Sequence, residues 1–374
     1  MATIRWKRAD SYEEANNYIG ANGEVVVDLA ENRLWVYDGA NAYVTAAFTE
    51  QDGRYIAPYV WQGENAGYIM AGYKQSTPTS SATSTNDVVQ KVSFTSDGSS
   101  VDVAEINPSP SLHGAYIVNH DTTAVFATAG QIIRTPYASE TPAQVDYSSG
   151  SPSQAYTDGG EPWSTENYGY YNARGTLHYF PFAITLPGIG PPTSWSATGP
   201  LSSTVKLSFN SSAHQSDTHG YKVMGIGAPT STIRGSVLKF PFANVPATMT
   251  DVGELYSDGD ARRNAAGGSV GGKGLMMGGR NSSDQSKTTC DAITFASDTF
   301  STSERSLESD RFAGCGLSST SAFYHAGGNH DGPFLSGGRS TLLSKSSAAS
   351  SATFSSIGSL ISPHLQSSVQ GGFD

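Results

Sequence analysis

The chain has 374 residues, a formal net charge of −11 and 15% charged side chains, well below the roughly 25% of an average soluble protein. An acidic chain without a basic stripe is not built for nucleic acid, because neutralising phosphates takes clustered Lys and Arg. No apolar run approaches the roughly 20 residues of a membrane-spanning helix, and "MATIRWKRAD" has no apolar signal core, so folding in a cytoplasm without membrane insertion is expected.

Gly (41 residues) and Pro (18), with clusters of Ser and Thr, interrupt short runs of Val, Ile, Phe and Tyr. That pattern predicts an all-β fold. Only "DSYEEANNYI" at 10–19 is a fair helix candidate. Residues 1–45 differ in pattern from the rest of the chain and form a first predicted domain; 46–374 form the second. In the first, "GEVVVDLAENRLWVYDGA" at 23–40 predicts a hairpin with "AENR" as its turn. Its apolar residues, Val25, Val26, Val27, Leu34, Trp35, Val36 and Tyr37, fall on both faces. About 45 residues cannot bury enough surface alone, so these seven residues are expected to dock or oligomerise.

From residue 55 the chain repeats itself. A bulky residue, three mostly apolar residues and Gly recur as "YIMAG", "FATAG", "YNARG", "YKVMG", "LMMGG" and "YHAGG". The six glycines, Gly72, Gly130, Gly175, Gly225, Gly279 and Gly328, are 58, 45, 50, 54 and 49 residues apart. A second apolar strand follows each: "VSF", "IIRTPY", "LHYFPF", "VLKFPF", "AITF" and "STLL". The two Phe-Pro-Phe-Ala runs, ending at Ala183 and Ala243, are therefore one strand in successive units. "VDVAEI" at 101–106 matches "TDVGEL" at 250–255, and "SLHGAY" at 111–116 is aligned with "SDTHGY" at 216–221. A period near 50 with about four short strands per unit predicts the blades of a β-propeller, six in number. "YIAPYVW" at 55–61 and "ATFSSIGSLI" at 352–361 are the expected closing strands.

The longest predicted loops are 73–87 and 137–168. The second holds Tyr147, Tyr156, Trp163 and Tyr168 among small polar residues, a composition suited to stacking on sugars or to a protein hot spot. These four are the candidate ligand contacts; the alternative is that they tuck back and pin the loop. No catalytic, cofactor or metal site is predicted. His325 and His330 flank a diglycine in "YHAGGNHDGP", "SDGDARR" at 257–263 lacks the spacing of a calcium loop, and "NAAGGSVGGKG" at 264–274 has Gly274 where a phosphate loop needs Ser or Thr. Cys290 and Cys315 have no metal-ligand spacing and are expected to be buried thiols.

The N-terminal residues "IRWKR" at 4–8 and "VVVDLAENRLWVYDG" at 25–39 resemble the small β-prism domain of phage major tropism determinant proteins and related tail-fibre proteins. After that stretch the family's Thr-Pro-Gly-Gly is replaced by "ANAYVT". The repeats resemble kelch-type propellers, including kelch-like proteins from phages of cyanobacteria, with the diglycine kept at Gly278-Gly279 and Gly327-Gly328. The resemblance implies a homotrimer anchored on other phage tail proteins, assembled in the host cytoplasm and located in the virion tail. The implied role is host attachment through a cell-surface receptor. A decoration of the tail or collar, and a propeller enzyme degrading host polysaccharide, are the alternatives.

Overall fold

The structure, a computed structural model, describes residues 6–9, 25–28, 33–37, 42–47, 49–51 and 54–56 of a first compact unit, Met1–Val60. Of the second, Trp61–Asp374, it describes 63–70, 73–75, 83–85, 87–106, 116–120, 123–128, 131–146, 161–173, 176–181, 196–200, 207–209, 211–227, 232–242, 249–256, 261–330, 341–351, 353–362 and 372–373. The division falls after Val60 rather than after residue 45, because the strands at 42–56 belong to the first unit.

The first unit is a four-stranded sheet, Trp6–Ala9, Val25–Asp28, Arg33–Tyr37 and Ala42–Ala47, in chain order. The expected hairpin is present: Val25 pairs with Val36, Val26 with Trp35 and Val27 with Leu34. The lead-in strand Trp6–Ala9 runs parallel to Val25–Asp28, which requires a crossover between them. The helix expected at 10–19 lies outside the described residues. Arg54–Ile56 pairs with Thr49–Gln51, so "YIAPYVW" begins inside this unit; its residues 57–61 lie outside the described residues.

Among its described residues the second unit is all-β and holds six antiparallel sheets of four or five strands, here named A to F, beside the two-stranded pairs Tyr73–Gln75 with Thr83–Thr85 and Arg262–Arg263 with Arg280–Asn281. Sheet B is Tyr116–His120, Thr123–Thr128, Gln131–Pro136 and Ala143–Asp146. Sheet C is Glu161–Ser164, Tyr168–Ala173, Thr176–Pro181 and Ser196–Pro200. Sheet D has Leu207–Phe209 and Ser212–Gln215 side by side on His219–Gly227, then Thr232–Pro241 and Thr250–Glu254. Sheet E is Ala266–Val270, Lys273–Met277, Lys287–Thr294 and Thr299–Arg311. Sheet F is Cys315–Ser318, Ala322–Ala326, Leu342–Ser347 and Ser355–Ser359. Sheet A departs from this pattern of four consecutive strands: Gly372–Phe373 takes the first place, followed by Ala66–Ile69, Val88–Ser93 and Val101–Glu105. A strand from the far end of the sequence does complete the first sheet, but it is Gly372–Phe373; "ATFSSIGSLI" supplies the fourth strand of sheet F instead.

The repeated signature falls on the second strand of every sheet and the following apolar run on the third. "VDVAE" and "TDVGE" are both fourth strands with the same exposure pattern, mostly open to solvent. The alignment of "SLHGAY" with "SDTHGY" is corrected: Tyr116 opens a first strand, whereas His219–Tyr221 opens a second.

Hydrophobic packing occurs between consecutive sheets. Tyr68 and Met70 of sheet A meet Ile117, Ile133 and Tyr137 of sheet B. Trp163 and Tyr170 of sheet C meet Leu238, Phe240 and Phe242 of sheet D. Sheets D and E pack through Tyr221, Met276 and Phe295, and E and F through Met277, Cys290 and Phe323. Leu317 and Tyr324 of sheet F meet Ile69 and Val92 of sheet A. A repeated ring contact marks four of these junctions. Tyr68 lies 5.3 Å from Tyr137, Tyr170 5.2 Å from Phe242, Tyr221 4.9 Å from Phe295 and Tyr324 4.7 Å from Phe94.

A polar ladder joins the first strands. The Asn119 N–H donates to Ser164 Oγ (2.7 Å), Ser164 N–H to Gln215 Oε1 (2.9 Å), Gln215 N–H to Ser269 Oγ (3.1 Å) and Ser269 N–H to Ser318 Oγ (2.8 Å). All five residues are buried, so each bond satisfies a backbone donor that water cannot reach.

The repeat glycines are needed where the backbone turns left-handed. Gly279 has φ 96°, and a Cβ there would stand 3.0 Å from the Arg263 carbonyl oxygen and 3.0 Å from Ala265 Cβ. Gly279→Val is expected to lose on the order of 1–3 kcal/mol, read as a lower denaturant midpoint at unchanged slope. An unaltered midpoint would remove the steric explanation of this repeat position.

Candidate functional site

Successive connections of an antiparallel meander lie at opposite edges of its sheet. The first-to-second and third-to-fourth turns share one edge; the second-to-third and sheet-to-sheet connections share the other. At the first edge the turns 165–167, 216–218 and 319–321 are short and held by hydroxyls. Thr165 Oγ1 accepts the Tyr168 N–H, Ser216 Oγ the His219 N–H and Ser319 Oγ the Ala322 N–H, at 3.1, 3.1 and 3.0 Å.

The same edge carries a recurring ionic group. Glu140, in the third-to-fourth turn of sheet B, accepts from Tyr68 Oη (3.0 Å) and Lys91 of sheet A. Asp298, in the equivalent turn of sheet E, accepts from Tyr221 Oη (2.9 Å) and Lys239 (2.8 Å) of sheet D. Asp97, in the equivalent turn of sheet A, accepts from Lys345 (2.8 Å) of sheet F, whose ammonium lies 5.7 Å over the Tyr324 ring. Burial and then the Asp298 carboxylate push the Tyr221 hydroxyl well above its ordinary range. Burial alone would raise the Glu140 carboxyl, but the bonds from Lys91 and Tyr68 outweigh it and hold the group low. These groups are consumed in joining sheets, and partly exposed pairs of this kind contribute about 0.2–1 kcal/mol each.

The second edge carries, among others, the second-to-third connections 70–87 of sheet A and 327–341 of sheet F, each described in part. It is the edge at which a rigid scaffold would present binding loops. Its best-described part is the 278–286 turn of sheet E with its neighbours. Arg280 stacks over Phe312, 4.4 Å to the ring centroid, and its Nε donates to the Asp284 carbonyl at 2.8 Å. Arg263 pairs with the exposed Asp284 carboxylate. Asn281 Oδ1 shapes the turn by accepting the N–H groups of Ser283 (3.1 Å) and Gln285 (2.9 Å). Backbone bonds from Phe312 to Asn329 and from Ala313 to Asn264 tie adjoining connections together. Two guanidinium groups fixed beside one open carboxylate form a charged surface able to hydrogen-bond a polar ligand.

Of the four predicted ligand contacts, Trp163 is corrected outright. It lies in the strand Glu161–Ser164, is 1% exposed, and its Nε1–H is shared between the carbonyls of His214 (2.8 Å) and Tyr221 (3.0 Å). Its indole meets Phe240 edge-on at 5.1 Å. It is a core residue of the C–D junction, with no surface to offer a ligand. Tyr168 is also in a strand, half-buried against that same cluster. Tyr147 and Tyr156 lie outside the described residues. The predicted 137–168 loop thus contains the strands Ala143–Asp146 and Glu161–Ser164.

The remaining sequence motifs also have structural explanations. In "SDGDARR", Arg262 is buried in an ion pair with Asp291, and Arg263 pairs with Asp284. "NAAGGSVGGKG" forms a hairpin with Gly271 and Gly272 at φ 58° and 81° in its turn. His325 is buried in its strand and His330 lies beyond the diglycine. Both cysteines are buried free thiols, and burial pushes the Cys290 thiol up to about 12. Among the described residues no group of three or more His, Cys, Asp or Glu is placed to hold a metal ion, and no helix is long and apolar enough to cross a membrane.

No protein-family model matches the chain, and no curated protein matches it significantly. Among solved structures it is similar to that of YjhT, with a TM-score of 0.52 and 10% sequence identity, over 75% of this chain and 96% of that one. At that identity the likeness is one of fold alone.

Proposed function

We propose that the second unit is a six-bladed, kelch-like β-propeller and that the chain is a virion protein for host-cell attachment. Each of sheets A to F is one blade. The observation that supports this most is the order of the junctions. The Tyr of the second strand and the Lys of the third meet an acidic turn of the next sheet at A to B and at D to E, and Lys345 of sheet F meets the Asp97 turn of sheet A. First strands touch in the same succession, and Gly372–Phe373 touches both Cys315–Ser318 and Tyr116–His120.

The attachment role rests on the resemblance of residues 4–8 and 25–39 to tropism-determinant N-terminal domains. In this reading the first unit trimerises through its hairpin and anchors to other tail proteins. The second unit presents its second edge, with the Arg263, Arg280 and Asp284 group, to a surface glycan or protein. Purified full chain, added to host cells before phage, is expected to lower the adsorption rate. Normal adsorption by particles lacking the chain would overturn the attachment role in favour of a tail or collar decoration. Release of reducing ends from host polysaccharide by the chain would favour the enzymatic alternative.

A further inference from the structure

Sheet F buries an ionisable ring that has no hydrogen-bond partner among the described residues. His325, in the strand Ala322–Ala326, is fully buried, and neither ring nitrogen has a hydrogen-bond partner among the described residues. Its backbone pairs with Gly316 on one side and Ser344 on the other. The ring occupies the space left by Gly314, where a Cβ would stand 2.4 Å from Cε1 and 2.9 Å from Nε2. His214, equally buried, differs: its ring is bonded to Ser212 Oγ (2.8 Å) and the Gly268 carbonyl (3.0 Å).

The charges around His325 belong to the E–F junction. Arg311, at the end of the fourth strand of sheet E, is wholly buried and is the cation that acts on the ring. Its guanidinium is already bonded to Glu308, Ser344 Oγ and the carbonyls of Gly327 and Leu342. Arg305, on the same strand, lies over the Phe323 ring and beside Glu304. Cys290, on the third strand of sheet E, is held as the neutral thiol. The 312–314 connection and the first strand of sheet F carry no charged side chain. Lys345, on the third strand of sheet F, is paired with Asp97 of sheet A. Among the described residues the carboxylates on that end of the strand are Glu308, which is committed to Arg311, and Asp310, which accepts from Ser286 Oγ.

We propose that His325 makes the junction between sheets E and F acid-labile: taking up a proton drives the ring from its site and separates the strands that bury it. A buried, unpartnered imidazolium beside Arg311 is doubly unfavourable, by desolvation and by like charge. Those two causes hold the folded ring neutral to well below the ordinary 6.5. The opened chain binds its proton near 6.5 and the closed one does not. Stability from the closed form is therefore complete above 6.5 and falls as pH is lowered from there toward the folded value. One proton taken up on opening shifts the equilibrium tenfold per pH unit within that window.

Hydrogen exchange of the full chain between pH 7.5 and 5, corrected for the chemical exchange rate, tests this. Amides of 311–318 and 322–326 are expected to open about tenfold more per pH unit below 6.5. His325→Gln, which cannot take the proton, is expected to remove that one-proton slope from these segments. The contributions of His214 and His219 are common to both chains and cancel in the comparison. The proposal is overturned by an equal slope in the variant. If the variant does not fold, the wild-type imidazole resonances decide: a His325 signal that titrates near 6.5 in the folded chain overturns it, and one that stays neutral until the junction opens upholds it.

Discussion

Trp163→Ala is expected to destabilise the chain by about 3–5 kcal/mol, the range for truncating a fully buried aromatic residue. The indole spans the C–D junction. It fills space against Phe240, Tyr170 and Leu238, and its N–H serves two buried carbonyls of sheet D. Ala would leave a cavity and remove that donor together. Trp163→Phe keeps a ring but not the N–H, and should fall between the two. Urea unfolding of the three chains measures the series. A midpoint for Trp163→Ala equal to wild type would mean the indole is not in the core. Any loss of cell binding in this variant is expected to track unfolding.

The second large effect is expected at the buried ion pair of the D–E junction. Arg262 and Asp291 have side chains 2% and 0% exposed. Asp291 also accepts from Tyr256 Oη (2.8 Å) and the Ser303 N–H (2.7 Å), while Arg262 Nη1 donates to the Thr289 carbonyl (2.7 Å) and its guanidinium lies 5.7 Å from the Tyr256 ring centroid. Asp291→Ala strands the guanidinium without its counter-charge, and a loss of about 3–5 kcal/mol is expected. Replacing both partners, Arg262→Met with Asp291→Leu, removes the uncompensated charge and should recover much of that loss. Equal stability of the single and double variants would show that lost packing, rather than a stranded charge, governs the site.

Strands rich in aromatic and β-branched residues were legible because burial on both faces forces a near-continuous apolar run. The second and third strands of each sheet have that character, which is why "YKVMG" and "VLKFPF" could be phased. The first strands do not. Glu161–Ser164 has four residues and opens Glu-Pro, so Trp163 reads as an aromatic in a Ser- and Gly-rich loop. Ser164, Gln215, Ser269 and Ser318 look like surface residues, since their work is to accept a backbone N–H from the preceding sheet. Their spacings from Asn119 onward, 45, 51, 54 and 49, follow the glycine spacings closely, and that periodicity was the signal that could have revealed them. The two-residue strand Gly372–Phe373 has no pattern to detect; only the unfilled place beside Ala66–Ile69 defines it. Of the candidate surface, the grouping of Arg263 with Arg280 was invisible in sequence because Asp284 and Phe312 reach them only through the fold.

The pairing of Gly372–Phe373 with Ala66–Ile69 also sets an order of assembly. Sheets B to F can each form from neighbouring segments, whereas sheet A waits for a strand from the opposite end of the repeats. The entropy of closing a loop grows only with the logarithm of its length, about 0.6 kcal/mol per doubling, so the delay is a matter of rate more than of final stability, and such distant pairings are the slow ones. Until the partner arrives, Ala66–Ile69, all four residues of which are buried in the finished fold, is a bare edge that any strand of matching register can join. The same two residues of a second copy fit it as well as the chain's own. Sheet A is thus the seam of the molecule, and strand exchange between copies during refolding at high concentration is the natural error of this design.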